Sequence, residues 1–341
     1  MFGIELTDYD KKVYEEQLAD FLPEKIIDAH THLWLPGMKR SNPKGSAAWI
    51  TKVASDMSYE DMVETQTALY AGKNVTSVVM GSPTCFLDKV NAYVTDVMQK
   101  HDLPALYCTN YNTPKEEILD AMSKGYLGIK PYLANCAPYI PANEVRIFDF
   151  LPPEHLELMN EIGGVVMLHV PRPQRLKDPV NLAQMMEIDE KYPNAKVIIA
   201  HIGRAYVYDD IGDAFDIVKK TKNLYYDFSA NVYGYAMERL IDTVGTKRIM
   251  FGSDMPYAKM RMYRIDDGGK YVNVVPRGLY GDVSADPHMR ETDEENITLF
   301  IYEELLALKS AASKLGLTKD EINDLMYDTA ARCYGINEYK K

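Results

Sequence analysis

Eight short apolar segments alternate with longer stretches of helical pattern, and this alternation constrains the fold more than any other feature of the sequence. The segments cover residues 25–30, 75–81, 103–108, 126–132, 165–170, 196–201, 224–229 and 248–254. Strands that are covered on both faces have such continuous apolar runs, and helices between them imply right-handed crossovers in a parallel sheet. Eight such units in 341 residues therefore predict an α/β chain that folds as a (β/α)8 TIM barrel rather than a doubly wound sheet.

Two segments exceed a minimal barrel. We expect residues 1–24 to form a helical extension before the first strand, and this helix is a candidate contact for a homo-oligomer. A long insert rich in Gly, Pro, Arg and Tyr covers 255–291 after the eighth strand, and helices are expected near 292–315 and 318–334. Substrate-covering loops lie at the C-terminal ends of barrel strands, so the insert is predicted to border the active site of a single domain, 1–341.

The composition excludes several classes of function. The chain has 38 Lys and Arg against 50 Asp and Glu, which gives a net charge of −12, whereas a nucleic-acid partner needs a basic face. No apolar run approaches the roughly 20 residues of a membrane-spanning helix. The first residues lack a basic stretch followed by an apolar one, and the four cysteines form no CxxC pair. We therefore expect a cytoplasmic protein whose partner is neither a membrane nor a nucleic acid.

Polar side chains stand at the ends of four of the predicted strands. His30 and His32 end the first strand, His169 the fifth, His201 the sixth and Asp254 the eighth. In a barrel the C-terminal ends of all strands meet at one mouth, where active sites lie. Residues two apart on a strand share a face, so the first two histidines should point the same way. The five side chains are therefore expected to converge on one site.

Neutral imidazoles with one carboxylate form a nitrogen and oxygen site that suits Zn²⁺, with Mn²⁺, Fe²⁺ or Co²⁺ as other occupants. Taken singly, a strand histidine is more often a hydrogen-bonded core residue, and Asp254 in GSDMP fits a helix N-cap. Five such residues from four strands would each need a separate buried partner, which favours the metal site. Of the other histidines, His101 and His155 are expected at the surface, and His288 would reach the site only if the insert folded over it.

The segments IIDAHTHLW, LHVPRP, IIAHIGR and FGSDMPY, in this order, resemble the metal-dependent amidohydrolase superfamily, specifically its amidohydrolase-related TIM-barrel branch. The resemblance runs from the first strand to the eighth and leaves the N-terminal helix and the insert uncovered. It implies a distorted (β/α)8 barrel with one or two divalent ions at its mouth. It also implies that His30, His32 and His169 are metal ligands and that Asp254 is both a ligand and the base for a metal-activated water. His201 would be an acid/base or electrophilic catalyst, or a ligand of a second ion.

Lys130, in GYLGIKPY on the fourth strand, bears on the number of ions. In binuclear relatives a lysine at this strand end is carbamylated and bridges two ions, whereas in the mononuclear branch that this chain resembles it is unmodified. The structural alternative is a lysine paired with a barrel carboxylate such as Asp28 or Asp227. We favour one ion, zinc before the others, and place Lys130 among the substrate contacts.

The branch contains hydrolases of lactones and C–N bonds, and also non-oxidative decarboxylases of aromatic and unsaturated acids. Some of these decarboxylases have a Glu two positions before the histidine pair, where this chain has Asp28. Arg172 and Arg204 follow the strand-five and strand-six histidines, and each is either a bidentate clamp for a substrate carboxylate or a solvated loop residue. Four aromatic residues lie just past strand ends and are expected to wall an apolar pocket, namely Trp34, Tyr132, Tyr206 and Tyr257.

The leading hypothesis is a metal-dependent hydrolase that acts on a small carboxylate-bearing substrate, a lactone or an amide. A metal-dependent decarboxylase is the alternative, and a non-catalytic binding barrel is the third. Arg261, Arg264 and Arg277 make the insert locally basic, which fits either an anionic substrate or a salt-bridged lid.

Overall fold

The computed structural model describes residues 5–45 and 47–336. In these ranges, eight parallel strands pair in chain order, from the first to the eighth, and form the central sheet. The strands are β1 (Lys25–Leu33), β2 (Asn74–Gly81), β3 (Ala105–Thr109), β4 (Gly128–Pro131), β5 (Val165–Leu168), β6 (Lys196–Ile199), β7 (Tyr225–Asp227) and β8 (Ile249–Met250). The sheet curls into a nearly closed barrel, so the predicted (β/α)8 TIM barrel is confirmed.

Backbone hydrogen bonds close the seam between β8 and β1. The amide of Asp254 donates to the carbonyl of His30 at 2.8 Å, and the amide of His32 donates to the carbonyl of Met255 at 2.9 Å. These bonds hold the segment after β8 in register with the end of β1. Residues that the sequence places more than 200 positions apart therefore lie side by side at the mouth.

Helices surround the barrel and connect its strands. They are α1 (Asp8–Val13), α2 (Ile50–Val53), α3 (Tyr59–Leu69), α4 (Leu87–His101), α5 (Lys115–Ser123), α6 (Pro153–Ile162), α7 (Pro179–Lys191), α8 (His201–Arg204), α9 (Ala214–Val218), α10 (Gly234–Val244), α11 (Phe300–Leu315), α12 (Lys319–Asn323) and α13 (Thr329–Tyr334). Two π-helical segments adjoin them, Tyr14–Leu18 and Asp324–Asp328. Short 3-10 turns occupy Leu133–Asn135, Ile147–Asp149, Arg175–Lys177, Tyr208–Asp210, Thr246–Arg248 and Tyr257–Lys259. No helix in the described ranges is long and apolar enough to cross a membrane.

A buried apolar cluster fills the barrel interior, and helix α13 packs against it. Members of this cluster on the strands or next to them are Ile27, Ala29, Val78, Met80, Leu106, Val165, Met167, Ile198, Ala200 and Met250. Helix α13 adds Cys333 and Tyr334, and the hydroxyl of Thr329 donates to the carbonyl of Thr246, just before β8. The N-terminal end of the barrel is thus covered, and the C-terminal mouth is left for the site.

The N-terminal extension is helical from Asp8 to Leu18, and residues 1–4 of the predicted helix lie outside the described residues. Its apolar side chains Val13, Tyr14 and Leu18 are buried in the main core of this chain, so that face is already covered. Asp10 is fully buried and accepts two hydrogen bonds from Arg261, at 2.9 and 2.7 Å. The extension is therefore fastened to the insert.

The insert folds into a small three-stranded sheet made of β9 (Tyr263–Asp266), β10 (Tyr271–Pro276) and β11 (Met289–Thr292). The expected helix near 292–315 begins only at Phe300, because residues up to Thr292 pair with β10 instead. The expectation that His155 lies at the surface is wrong. It is fully buried on the inner face of α6, with Nε2 2.8 Å from the carbonyl oxygen of Thr113.

Gly128 is predicted to be indispensable for the pairing of β4 with β5. A Cβ at this position would lie 1.9 Å from the carbonyl oxygen of Val165, its partner across the ladder, and a backbone atom cannot swing aside. Gly128→Ala should lower the free energy of unfolding by about 3 kcal/mol, measured by urea denaturation. Gly234→Ala is the matched control, since its nearest heavy atom, the Ala307 oxygen, is 3.6 Å away. Equal midpoints for the two variants would contradict the prediction.

Glu304 on α11 is predicted to make stability fall as pH rises. Neither carboxyl oxygen accepts a hydrogen bond of normal geometry from the described residues, and burial, followed by the charges of Asp227 and Asp28, raises its pKa well above the usual value. The folded state keeps a proton that the unfolded chain releases above about pH 4.3. The free energy of unfolding therefore falls by up to about 1.4 kcal/mol for each pH unit above that value.

Glu304→Gln should therefore gain stability relative to wild type between about pH 5 and about pH 8, as followed by urea denaturation across that range. The exposed Glu295→Gln is the control and should track wild type. Parallel stability curves for wild type and Glu304→Gln would show that the buried carboxyl does not retain its proton.

Candidate metal centre

The C-terminal mouth of the barrel opens into a cavity of about 830 Å³, part of which is open to solvent. Most of the side chains that the sequence singled out line it, namely His30, His32, Lys130, His169, His201, Arg204, Asp254 and Tyr257. Arg172 and Trp34 do not line it.

Asp227, at the end of β7, holds several of these groups in place. Its Oδ2 lies 2.9 Å from Nδ1 of His30, and its Oδ1 accepts from the backbone amide of His201 at 2.7 Å and from the hydroxyl of Ser229 at 2.6 Å. The carboxylate is fully buried. Because it only accepts hydrogen bonds, Nδ1 of His30 carries the proton and Nε2 presents a lone pair. Sequence reasoning considered Asp227 only as a partner of Lys130 and missed this role.

Backbone carbonyls orient two more imidazoles in the same way. Nδ1 of His32 lies 3.1 Å from the oxygen of Gly81, and Nδ1 of His201 lies 2.9 Å from the oxygen of Ser229. A carbonyl cannot donate, so in the neutral rings the proton is on Nδ1 and Nε2 is an acceptor. The hydrogen-bond network thus assigns the tautomer that a metal-ligating histidine needs.

Burial keeps three histidines of the mouth, His30, His32 and His169, neutral. It is the main cause that lowers the pKa of His30 and His169 well below the usual value, with the charge of Lys130 adding to it at His30 and that of Arg204 at His169. Burial also lowers the pKa of His32, although Asp254 opposes this shift. Neutral imidazoles are the form that binds a metal ion.

Three acceptor atoms converge where these residues meet. Oδ1 of Asp254 lies 3.3 Å from Nε2 of His32 and 3.7 Å from Nε2 of His30. With both Nδ1 atoms protonated, no hydrogen lies between these atoms. The ammonium of Lys130, 3.1 Å from Nε2 of His30, offsets part of their repulsion, and a metal ion held by all three atoms would offset the rest. A nitrogen and oxygen donor set of this kind fits a divalent ion such as Zn²⁺.

His169 borders this group without belonging to it. Its ring packs edge-on against those of Tyr132 and His201, with centroids 5.1 and 5.3 Å apart. Its Nδ1 is buried and has no hydrogen-bond partner in the described ranges. A buried polar atom without a partner is costly, and a nearby cation would explain why it is tolerated.

A second group, His30, His201 and Asp227, also has donor atoms within 4.8 Å of one another. Its contacts are already accounted for by hydrogen bonds, since Asp227 accepts from the ring of the first and the backbone of the second. We therefore assign it to the support of the ligands rather than to a separate ion.

Lys130 is buried beside the first histidine. Its Nζ lies 3.1 Å from Nε2 of His30, so its partner at hydrogen-bond distance is an imidazole rather than Asp28 or Asp227, the carboxylates that the sequence offered. Burial lowers its pKa to about 8, although the charges of Asp254 and Asp227 oppose this shift. A cation therefore stands next to the group formed by His30, His32 and Asp254.

Strained backbone brings His201 and Arg204 to the mouth. Strand β6 ends at Ile199, and the four residues from His201 to Arg204 have φ values of 59°, 52°, 59° and 68°, so α8 is a left-handed turn. Asp254 also has a positive φ, 54°. A left-handed residue with a side chain costs roughly 1–2 kcal/mol. Such strain concentrates at functional sites.

Other predicted contacts have different surroundings. The Nε of Arg172 lies 3.4 Å from Oδ2 of Asp178, and the residue does not line the cavity. Trp34 is fully buried and donates through Nε1 to the carbonyl of Ser55. Its ring stacks on that of Tyr257, with centroids 6.0 Å apart, so it supports the cavity wall from behind.

Among the cavity residues that sequence reasoning did not single out are Trp49, Arg264 and Tyr271. The last two come from the insert, which no motif covers. The only available signal was the local basicity of the insert, and it did not distinguish Arg264 from its neighbours. His288 stays outside the cavity and stacks on Tyr271, with centroids 4.1 Å apart.

The sequence model of a family described as Amidohydrolase matches residues 27–336, which is nearly the whole barrel and its insert. This match confirms the resemblance that the four motifs indicated. No curated protein sequence matches the chain.

Solved structures share the fold at low sequence identity. An amidohydrolase from Burkholderia multivorans with bound zinc has a TM-score of 0.60 and 14% identity, covering 92% of this chain and 99% of that one. A probable 2-pyrone-4,6-dicarboxylic acid hydrolase from Acinetobacter baumannii with citric acid bound has a TM-score of 0.56 and 14% identity, covering 91% and 99%. A 2,6-dihydroxybenzoate decarboxylase complexed with 2,6-dihydroxybenzoate has a TM-score of 0.54 and 11% identity, covering 92% and 100%. These likenesses establish the fold alone.

Asp227→Asn is predicted to weaken metal binding without removing a ligand. An amide in this position no longer fixes the proton of His30 on Nδ1, so Nε2 is less often a free donor for the ion. The affinity for Zn²⁺, measured by competition with a chromogenic chelator, should fall about 10- to 100-fold.

Asp189→Asn is the matched control, because Asp189 is also buried and accepts backbone hydrogen bonds, from residues 222 to 224, away from the cavity. It should lose stability and keep its zinc affinity. A folded Asp227→Asn variant with wild-type zinc affinity would refute the orienting role.

Proposed function

Since the chain belongs to the amidohydrolase family, we propose that it is a metal-dependent hydrolase that opens a lactone or amide bond in a small carboxylate-bearing substrate. The observation that carries this proposal is the convergence of three unprotonated acceptors, Nε2 of His30, Nε2 of His32 and Oδ1 of Asp254, at the mouth of the barrel. These atoms, with His169 beside them, would hold one divalent ion, zinc before Mn²⁺, Fe²⁺ or Co²⁺. When bound, such an ion lowers the pKa of water toward neutrality and polarises a carbonyl group.

Asp254 is proposed as the base. Its side chain is 14% exposed, and it lines the cavity, so one carboxylate oxygen can face both the ligand cluster and a substrate. A carboxylate here can accept a proton from the attacking water and return it to the leaving group. The backbone bond from its amide to the His30 carbonyl, 2.8 Å long, keeps it at the mouth.

His201 is proposed as a proton acceptor or a ligand rather than an electrophile. Its Nδ1 proton is directed to the Ser229 carbonyl, so the neutral ring offers only a lone pair on Nε2. It donates to a substrate only after it has gained a second proton. This order fits a group that takes up a proton during bond cleavage and releases it afterwards.

Arg204 is proposed to bind the carboxylate of the substrate. It lines the cavity, and its contacts through Nη1 are three long ones, each 3.4 Å, to the backbone carbonyls of Val170, Pro171 and Arg172. No carboxylate within the described ranges pairs with it, so its guanidinium is available for a bidentate contact. The citric acid and the 2,6-dihydroxybenzoate bound in two structures of this fold support an acidic ligand.

The surroundings of Asp28 favour a hydrolase over a decarboxylase. Asp28 occupies the position where some decarboxylases of this branch carry a Glu. It is fully buried and accepts from the amide and hydroxyl of Ser253, at 2.8 and 2.5 Å, and it does not line the cavity. It is therefore not available to a substrate.

The reaction is tested by supplying lactones, amides and aromatic acids to zinc-reconstituted protein in ¹⁸O-labelled water. A hydrolase transfers one labelled oxygen to its product and releases no CO₂, and treatment with a chelator abolishes the reaction. Asp254→Asn should lower kcat/KM by about 10³-fold in the same assay, and the exposed Asp213→Asn should not. Release of CO₂ without incorporation of label would identify a decarboxylase. Tight binding without turnover would identify a binding barrel.

A further inference from the structure

The three arginines of the insert differ in their partners. Arg261 pairs with the buried Asp10 at 2.7 Å, and Arg277 pairs with Asp293 at 2.7 Å. Arg264 has no carboxylate within 4.0 Å among the described residues, and it alone of the three lines the cavity. The first two arginines therefore fasten the insert, whereas the third forms no ion pair within the described residues.

Neutral groups hold Arg264 in a fixed orientation. Its Nε donates to Oδ1 of Asn273 at 2.9 Å, and its Nη1 donates to the carbonyl of Ala230 at 3.1 Å. Three rings surround the guanidinium, with its central carbon 4.9, 4.7 and 4.8 Å from the ring centroids, and they are Tyr206, Tyr271 and Phe300. No partner among the described residues takes up Nη2, so this edge of the fork is available to a ligand.

A second polar group beside Arg264 also lacks a partner. Asn273 is fully buried, and its Nδ2 has no acceptor in the described part of the chain. Because Oδ1 of the same amide accepts from Arg264, its orientation is fixed and Nδ2 is a donor. Two donors with unused hydrogens thus lie side by side, Arg264 in the cavity wall and the buried Asn273 behind it. A cation of this kind is costly to shield from water unless an anion compensates it.

We propose that Arg264 binds a second anionic group of the substrate, so that the substrate is a planar dicarboxylate with one carboxylate at Arg204 and the other at Arg264. The inference rests on the proposed function for the first of these contacts. Five aromatic side chains line the cavity, and because aromatic rings stack on flat unsaturated molecules, they favour a planar substrate. They are Trp49, Tyr132, Tyr206, Tyr257 and Tyr271.

The test measures binding of inert probes to zinc-reconstituted protein by calorimetry. Benzene-1,3-dicarboxylate should bind wild type at least about tenfold more tightly than benzoate does. Arg264→Gln should weaken the binding of the dicarboxylate roughly 10- to 100-fold and leave that of benzoate within about twofold. Arg277→Gln, a change of the same kind in the same insert, should alter neither affinity.

Two outcomes would overturn the inference. If wild type does not prefer the dicarboxylate, it has no second anion site. If Arg264→Gln loses affinity for both probes equally, the arginine has a structural role only. Arg264→Lys, which keeps the charge but not the fork, should show an intermediate loss for the dicarboxylate alone, and it decides the question if the Gln variant does not fold. Because these affinities need no turnover, a protein with this binding pattern that hydrolyses nothing would refute the proposed function alone. If the protein hydrolyses substrates with a single carboxylate and Arg264→Gln does not change the rate, only the inference of a dicarboxylate substrate is refuted.

Discussion

The carboxylate of Asp227 sets the geometry on which the mouth of the barrel depends. It is fully buried and holds the ring of His30 and the backbone of His201 at the same time. Because it only accepts hydrogen bonds, it determines which nitrogen of His30 carries the proton and which one faces the cavity. The carbonyl of Gly81 does the same for His32. Groups that do not line the cavity therefore decide what its ligand atoms can bind.

The barrel supports backbone conformations at the mouth that would be unfavourable elsewhere. His201 and Asp254 have positive φ values although neither is glycine. His201 lies two residues past the end of β6, and Asp254 lies four residues past the end of the two-residue strand β8. The strain is sustained because the rest of the fold is rigid, with an apolar interior packed against α13 and a seam of hydrogen bonds between the ends of β8 and β1. The same strained segments direct the side chains of His201 and Asp254 into the cavity, so the rigid fold that sustains the strain also positions these groups.

Much of this architecture was predictable. Apolar runs and helical pattern are local properties, and the eight apolar runs predicted the eight strands, although each of the strands from β4 to β8 ends earlier than the predicted run. His30, His32 and Asp254 could be grouped because parallel strands of a barrel all end at one mouth. His155 could not be placed, since a polar helix start says nothing about which face packs inward. Arg172 and Arg204 look alike in sequence, and only the structure distinguishes them, because Asp178 contacts Arg172 and not Arg204.

The sequence by itself determined the barrel, the end of it that carries the site, and the residue types gathered there, because these follow from periodicity and from strand order. Only the tertiary structure decided the tautomers, the partner of Lys130, and which arginine of the insert reaches the cavity. These depend on contacts at 3 Å between residues far apart in the chain, as between His30 and Asp227. A hydrogen bond or an ion pair falls off steeply with distance and angle, so such choices are made by the packing of the whole fold and are not encoded in any one segment.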